Sequence, residues 1–280
     1  MLTVCAFSSA QTIPVYGIIE KFEKNALHDL PGHEEWGIEH LRRNAHKSLP
    51  ASAQIKLPKA SSKKLLPEQL YNKRLNSALI CGKVFSCNDC PNLHATITAT
   101  ATPITDDGVC LVNYHMIMPI VDSTAMQKGD SIYFLSDFYG HMFPMIEIMA
   151  YSRDLDVAVI KVDTRGTKLD AIPFGTPAQT GQHINLISHP KQMPYVYTQG
   201  FVTRNARYDI PGQTAIEHME ITAEFAGGSS GGPIMDDKGN LVGMVKGTTT
   251  LFYEDEEHNP QMILRATIPV TTLKSMINKR

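Results

Sequence analysis

Ser230 lies in the run Glu224-Phe225-Ala226-Gly227-Gly228-Ser229-Ser230-Gly231-Gly232-Pro233, whose residue types suit one kind of chemistry. A serine hydroxyl is a weak nucleophile at its own pKa, so a catalytic serine needs a base within reach and donors for the oxyanion it creates. Glycines on both sides of Ser230 let the backbone take tight or positive-φ conformations. Two N–H groups, those of Gly228 and Ser230, can then aim at one point. Ser229 sits between these donors, adds its backbone to the same loop and is the rival nucleophile.

The base for such a serine is best a histidine, because its unperturbed pKa lies beside working pH. Of the 11 histidines, His115 in Leu111-Val112-Asn113-Tyr114-His115-Met116-Ile117 follows the end of a buried strand and can be held rigidly at a sheet rim. The third group should be a carboxylate that fixes the imidazole tautomer and stabilises the imidazolium. Asp156 opens the apolar run Asp156-Val157-Ala158-Val159-Ile160, where an acid is costly unless paired. Asp154 is the alternative on the same side of an extended chain, and Asp163 ends the strand at the wrong edge.

Residues Gly228 to Pro233 resemble the Gly-x-Ser-Gly-Gly-Pro signature of trypsin-like serine peptidases. They also fit the looser Gly-x-Ser-x-Gly elbow of α/β hydrolases, and a plain glycine-rich turn is the non-catalytic reading. The elbow needs a helix directly after the serine and a later histidine. Here Pro233-Ile234-Met235 reads as a strand, and the only later histidine is His258, in the acidic run Glu254 to His258. The elbow is therefore set aside.

The chain order His115, Asp156, Ser230 is that of the chymotrypsin fold, and the finer spacing resembles the HtrA-like branch, usually bacterial and exported. The similar segments are Asp106 to Ile117, Ser131 to Asp163 with its Ser-Asp-x-x-Gly turn, Gly181 to Arg204 with Gly200-Phe201-Val202-Thr203, and Ile221 to Val245. The resemblance covers the chain from about Leu66 onward. It implies an all-β fold of two six-stranded antiparallel β-barrels, the first giving His115 and Asp156 and the second Ser230. It further implies a serine endopeptidase acting on protein or peptide substrates without a cofactor, with Gly228, Ser229 and Ser230 framing the oxyanion hole.

The sequence also departs from that pattern. Thr98-Ala99-Thr100-Ala101-Thr102 replaces a Gly-Ser-Gly strand, a change read as touching packing more than chemistry. Phe225-Ala226-Gly227-Gly228-Ser229 replaces Asn-Pro-Gly-Asn, which leaves the resting shape of the oxyanion loop open. Glu224 stands six residues before the nucleophile, the base of the S1 pocket in trypsin-like enzymes. A buried acid there would favour Lys or Arg, whereas the HtrA-like preference for small apolar residues makes Glu224 an exposed residue of a realigned loop. No PDZ-sized remainder follows the closing helix.

The elements that must position these groups read as strands at short intervals. Ala95, Ile97, Ala99 and Ala101 alternate with threonines in the period of a half-buried strand. Asp106-Asp107-Gly108 marks a hairpin into Val109 to Val112. Further strands are expected over 131–135, 142–149, 157–162, 184–188, 195–203, 219–222, 234–235, 241–245 and 262–268. Pro67 to Leu75 reads as a short leading helix and Val270 to Ile277 as a closing one. The expected division is a signal-like stretch over 1–10, an N-terminal extension and linker over 11–65, a first barrel over about 77–165, a second over about 170–269, and the helix over 270–280.

Lys+Arg 26 against Asp+Glu 28 leaves no basic face for nucleic acid, and no apolar run is long enough to span a membrane. The signal-like start points to an extracytoplasmic location. Besides Cys5, the cysteines are Cys81, Cys87, Cys90 and Cys110. In an exported protein they read as two disulfides, for instance Cys81 with Cys110 and Cys87 with Cys90. The competing reading is zinc held by Cys81, Cys87, Cys90 and either Cys110 or His94, although one Cys-x-x-Cys does not establish it, and no metal is assigned. The extension over 11–65 is long enough to cover a cleft, so a catalytically silent scaffold on the peptidase fold is the alternative function.

Overall fold

The computed structural model describes residues 12–50, 55–87, 89–125, 129–209, 211–212, 214–253 and 259–277. The signal-like stretch, Cys5, His258 and the last three residues expected in the closing helix lie outside them. The extension begins with helix α1 (Val15–Asp29), which the sequence reading missed, followed by α2 (Ile38–Arg43) and α3 (Pro67–Arg74). α1 exists because Ile18, Phe22 and Ala26 recur every four residues and are buried together on one face. Phe22 stacks on Phe134 at 5.2 Å between ring centroids, and Gly82 leaves room for it, since a Cβ there would lie 2.5 Å from the Phe22 ring.

The strands follow as β1 (Leu79–Ser86), β2 (Leu93–Pro103) and β3 (Val109–Val112), then helix α4 (Tyr114–Val121), then β4 (Asp130–Ser136), β5 (Met142–Ser152) and β6 (Val157–Val162). They close into an antiparallel barrel in the order β1-β2-β3-β6-β5-β4. β7 (His183–Ser188), β8 (Val196–Tyr208), β9 (Ile216–Ile221), β10 (Pro233–Met235), β11 (Leu241–Phe252) and β12 (Pro260–Pro269) close into a second ring in the order β10-β11-β12-β9-β8-β7. Closure gives every strand two neighbours, although β9 and β12 meet over only two residue pairs, Glu220 with Ala266 and Met219 with Thr267. Helix α5 (Val270–Ile277) packs Val270, Leu273 and Ile277 into the core that both rings share.

β1 is the strand missing from the sequence reading. Leu79, Ile80, Cys81 and Gly82 are all buried, so both faces of its first half are covered and the period of two that would have revealed it is absent. β2 departs from expectation in the opposite way. Its alternation predicts one buried face, yet Thr100 and Thr102 are as fully buried as Ala99 and Ala101, because the second ring covers the threonine face.

The extension lies against both rings. Gly37 bridges Ile132 and Ala45 bridges Ile148 on the first. On the second, Ser61 exchanges hydrogen bonds of 2.7 and 2.9 Å with the Asn240 side chain, and the Leu65 amide donates to Asp237 O at 2.8 Å. None of these contacts involves Ser230, His115 or Asp156.

Candidate active site

His115 is the second residue of α4, directly beyond β3, and Asp156 stands one residue before β6. β3 and β6 are antiparallel partners, with Val112 opposite Ala158, so the two residues meet at one end of the pair. His115 Nδ1 lies 3.0 Å from each Asp156 carboxylate oxygen, and the His115 amide donates to Oδ1 at 3.1 Å. A carboxylate only accepts, so the proton of a neutral ring sits on Nδ1 and Nε2 is left with its lone pair. Asn113, fully buried, donates its Nδ2 to the Asp156 carbonyl at 3.1 Å and to Oδ2 at 3.3 Å. Asp156 holds φ at 56°, a left-handed conformation that Asp and Asn tolerate better than other side chains. Asp154 is exposed, and the Asp163 carboxylate accepts from the Arg165 amide at 2.8 Å in the turn at the opposite end of β6.

Among the described residues three other histidines pair with aspartates, His28 with Asp29 at 2.8 Å, and His141 with Asp137 and His183 with Asp237, both at 2.7 Å. The first lies in α1, the second in the turn between β4 and β5, and the third joins the start of β7 to the turn after β10; among the described residues none of them hydrogen-bonds to the Gly227–Gly231 loop.

That loop is clamped by the first barrel. The Thr100 amide donates to Ser230 O at 2.9 Å, the Thr100 hydroxyl to Gly228 O at 3.0 Å and the Thr102 hydroxyl to Gly231 O at 2.8 Å. The threonine substitutions read as packing changes therefore hold the serine loop directly. Only glycine fits at two positions: Gly228 and Gly231 have φ of +96° and +84°, and a Cβ would fall 2.5 Å from His189 O and 2.1 Å from Thr100 O.

The carbonyl of Gly227 accepts from the Lys191 amide at 2.6 Å. Because the peptide is planar and trans, the Gly228 N–H on the same peptide points the opposite way. Among the described residues neither the Gly228 nor the Ser230 amide has a hydrogen-bond partner, whereas the Ser229 amide donates to Ala226 O at 3.0 Å. The Ser229 side chain is fully buried and accepts from the Ser188 hydroxyl at 3.0 Å. Ser230 is only half-buried, and among the described residues its hydroxyl makes no hydrogen bond with His115. Such bonds are frequently long in unliganded enzymes and tighten when substrate binds.

Several residues that shape the site carried no sequence signal. Lys191, Gln192 and Tyr195 all have positive φ, so the turn behind the loop is strained where the loop rests on it. Lys246, half-buried with Nζ 2.9 Å from His218 Nε2, sits in the field of Asp156. Burial lowers its pKa, and Asp156 opposes that shift. Glu224, expected to be exposed in a realigned loop, is exposed and bonded to Arg265 at 2.9 Å.

His189 is buried at the junction of the two rings. It accepts the Tyr195 amide on Nδ1 at 3.0 Å, and its Nε2 lies 3.2 Å from Ala78 O. Burial drives its pKa down to about 4. The unfolded imidazole takes up a proton near pH 6.5, so this group's contribution is complete above that pH, is lost as pH falls toward 4 and is flat below. The loss is on the order of 3 kcal/mol. Urea unfolding at pH 7 and pH 4.5 should show it as a fall in stability that is smaller by about that amount in His189→Gln. Equal falls in both proteins would exclude His189 as the cause.

Residues 100–244, more than half of the chain, match the trypsin-like peptidase domain. The chloroplastic Protease Do-like 5 of Arabidopsis thaliana is 30% identical over 150 residues, 51% of this chain and 46% of that protein. The putative serine protease HhoA of Synechocystis sp. is 27% identical over 95 residues, 32% of this chain and 24% of that protein. The chain thus spans less than half the length of the curated relatives it matches. Among solved structures, Deg5 superposes with a TM-score of 0.54 at 22% identity, covering 74% of this chain and 89% of that one. The HtrA-type protease AlgW with a decapeptide superposes with a TM-score of 0.58 at 17% identity, covering 76% and 67%. Those two likenesses show the fold, and the match over residues 100–244 spans His115, Asp156 and Ser230: the chain belongs to the trypsin-like peptidase domain family.

Proposed function

We propose that this chain is a serine endopeptidase whose nucleophile is Ser230. Ser230 Oγ attacks a peptide carbonyl, His115 Nε2 takes the hydroxyl proton and returns it to the leaving amine, and Asp156 holds the ring and stabilises the imidazolium. Water then hydrolyses the acyl-enzyme by the same proton path. The oxyanion meets the amides of Gly228 and Ser230, while Ser229 serves as frame. The observation that carries this reading is the imidazole braced at 3.0 Å by both Asp156 oxygens, together with a serine loop whose amides of Gly228 and Ser230 have no partner among the described residues and whose Gly231 packs against Val112, three residues before His115.

The substrate is a protein or peptide, a reading supported by the peptides bound in the AlgW structures. Arg265 already pairs with Glu224, so the S1 region offers no free carboxylate to Lys or Arg, and small apolar residues suit it better. The cleft lies where β2 grips the serine loop, a reading supported by the hydrogen bonds of Thr100 and Thr102 to that loop. The signal-like start and the chloroplastic names of relatives support a compartment outside the cytosol. Among the described residues no helix is long and apolar enough to cross a membrane.

Incubation with a fluorophosphonate probe, followed by peptide mapping, should place one adduct on Ser230 and stop casein degradation. A folded chain that neither reacts nor cleaves casein would instead favour the scaffold reading on this fold.

A further inference from the structure

Far along the chain from Ser230, the turn between β1 and β2 gathers three metal-ligating side chains. Cys87 directly follows β1, Cys90 stands three residues on, and His94 is the second residue of β2, opposite Phe85. Cys87 Sγ lies 3.3 Å from Cys90 Sγ and 3.3 Å from His94 Nε2, and Cys90 Sγ lies 3.0 Å from the same nitrogen. All three residues are half-buried, and both cysteines are free thiols. We propose that Cys87, Cys90 and His94 form a binding site for a thiolate-seeking divalent cation, zinc by preference, which staples the tip of the β1–β2 hairpin.

The donor set suits zinc, which takes thiolate sulfur and imidazole nitrogen together in a tetrahedron. Zinc–sulfur bonds of about 2.3 Å and zinc–nitrogen bonds of about 2.0 Å put two sulfurs roughly 3.8 Å apart and sulfur and nitrogen roughly 3.6 Å apart. The observed triangle is tighter by only a few tenths of an ångström, so a small opening of the thiol rotamers admits the ion. On binding, each thiol releases its proton to solvent and gives a sulfur lone pair to the metal, with no change of oxidation state. Two thiolates balance the two positive charges, and the half-exposed surface leaves the fourth position to water.

Cys81 and Cys110, which the zinc reading of the sequence could equally recruit, are excluded. Both are buried in the core of the first barrel, where desolvation raises their thiol pKa values, Cys81 to about 11. The site is independent of the peptidase chemistry, although it braces the outer end of β2, the strand whose Thr100 and Thr102 hold the serine loop.

The test is a cobalt(II) titration of the reduced full-length chain, kept free of oxygen. One equivalent should produce a thiolate-to-cobalt charge-transfer band and the visible absorption of a tetrahedral centre. Zinc should bleach both, release protons and raise the thermal midpoint. Cys87→Ser, Cys90→Ser and His94→Asn should each weaken zinc binding by more than the roughly 10–100-fold that loss of an outer-shell partner brings, while Cys110→Ser should not. Circular dichroism will report whether each variant folds, and three separate ligand variants keep one misfolded protein from deciding the matter. A spectrally silent titration, binding retained in the Cys87→Ser/Cys90→Ser protein, or a Cys87–Cys90 disulfide present before any oxidant is added would overturn the proposal.

Discussion

Ser230→Ala is expected to lower kcat for peptide hydrolysis on the order of 10⁶-fold, because losing the nucleophile of a triad removes nearly all that the three residues achieve together. The residual rate over water would come from the amides of Gly228 and Ser230, which alanine leaves in place. Ser229→Ala is the informative contrast. Its hydroxyl is sealed against Ser188 Oγ at 3.0 Å, so its removal should cost about 1 kcal/mol of stability and leave kcat within about tenfold. Steady-state kinetics on a fluorogenic peptide and urea midpoints measure both quantities. Equal loss of kcat in the two variants would mean that the loop conformation limits the rate. Undiminished turnover in Ser230→Ala would assign the nucleophile elsewhere.

The groups proposed to do the chemistry stand out in the sequence because their constraints are local. Glycines must flank a serine that needs two converging amides, and an acid at the head of an apolar strand needs a partner. Strands appeared where the period of two survived, as in β2, and one was lost where successive residues are buried on both faces, as in β1. The residues that set the loop's shape could not be read in this way. Thr100 bonds a carbonyl 128 positions away, and His189 bonds the carbonyl of Ala78, 111 positions away. A threonine on a strand or a histidine after one looks the same whether it meets solvent or another barrel. The same holds for cysteines: spacing raised both disulfides and zinc, and only the burial of Cys81 and Cys110 separates them from Cys87 and Cys90.

Asp156→Asn should lower kcat by about 10⁴-fold while leaving the fold intact. Asparagine is the substitution that isolates the charge, because it fits the same space and tolerates the left-handed φ of 56° that alanine would strain. The carboxamide can present its NH₂ to His115 Nδ1, which then accepts and carries its proton on Nε2, the wrong side to receive one from Ser230. Even with its oxygen turned toward Nδ1, the amide supplies no charge to offset the imidazolium that forms during attack. Lys246, whose ammonium is favoured by the Asp156 charge, should titrate lower in the variant, a change visible in its side-chain NMR shift. Asp154→Asn, at an exposed position with no histidine partner among the described residues, should leave kcat unchanged. If instead Asp154→Asn slows the enzyme and Asp156→Asn does not, the contact at 3.0 Å is a structural pairing and the orienting carboxylate is Asp154. If both variants keep full activity, His115 works without an acid behind it, and the bond it makes to Asp156 serves only to fix the end of β3 against β6.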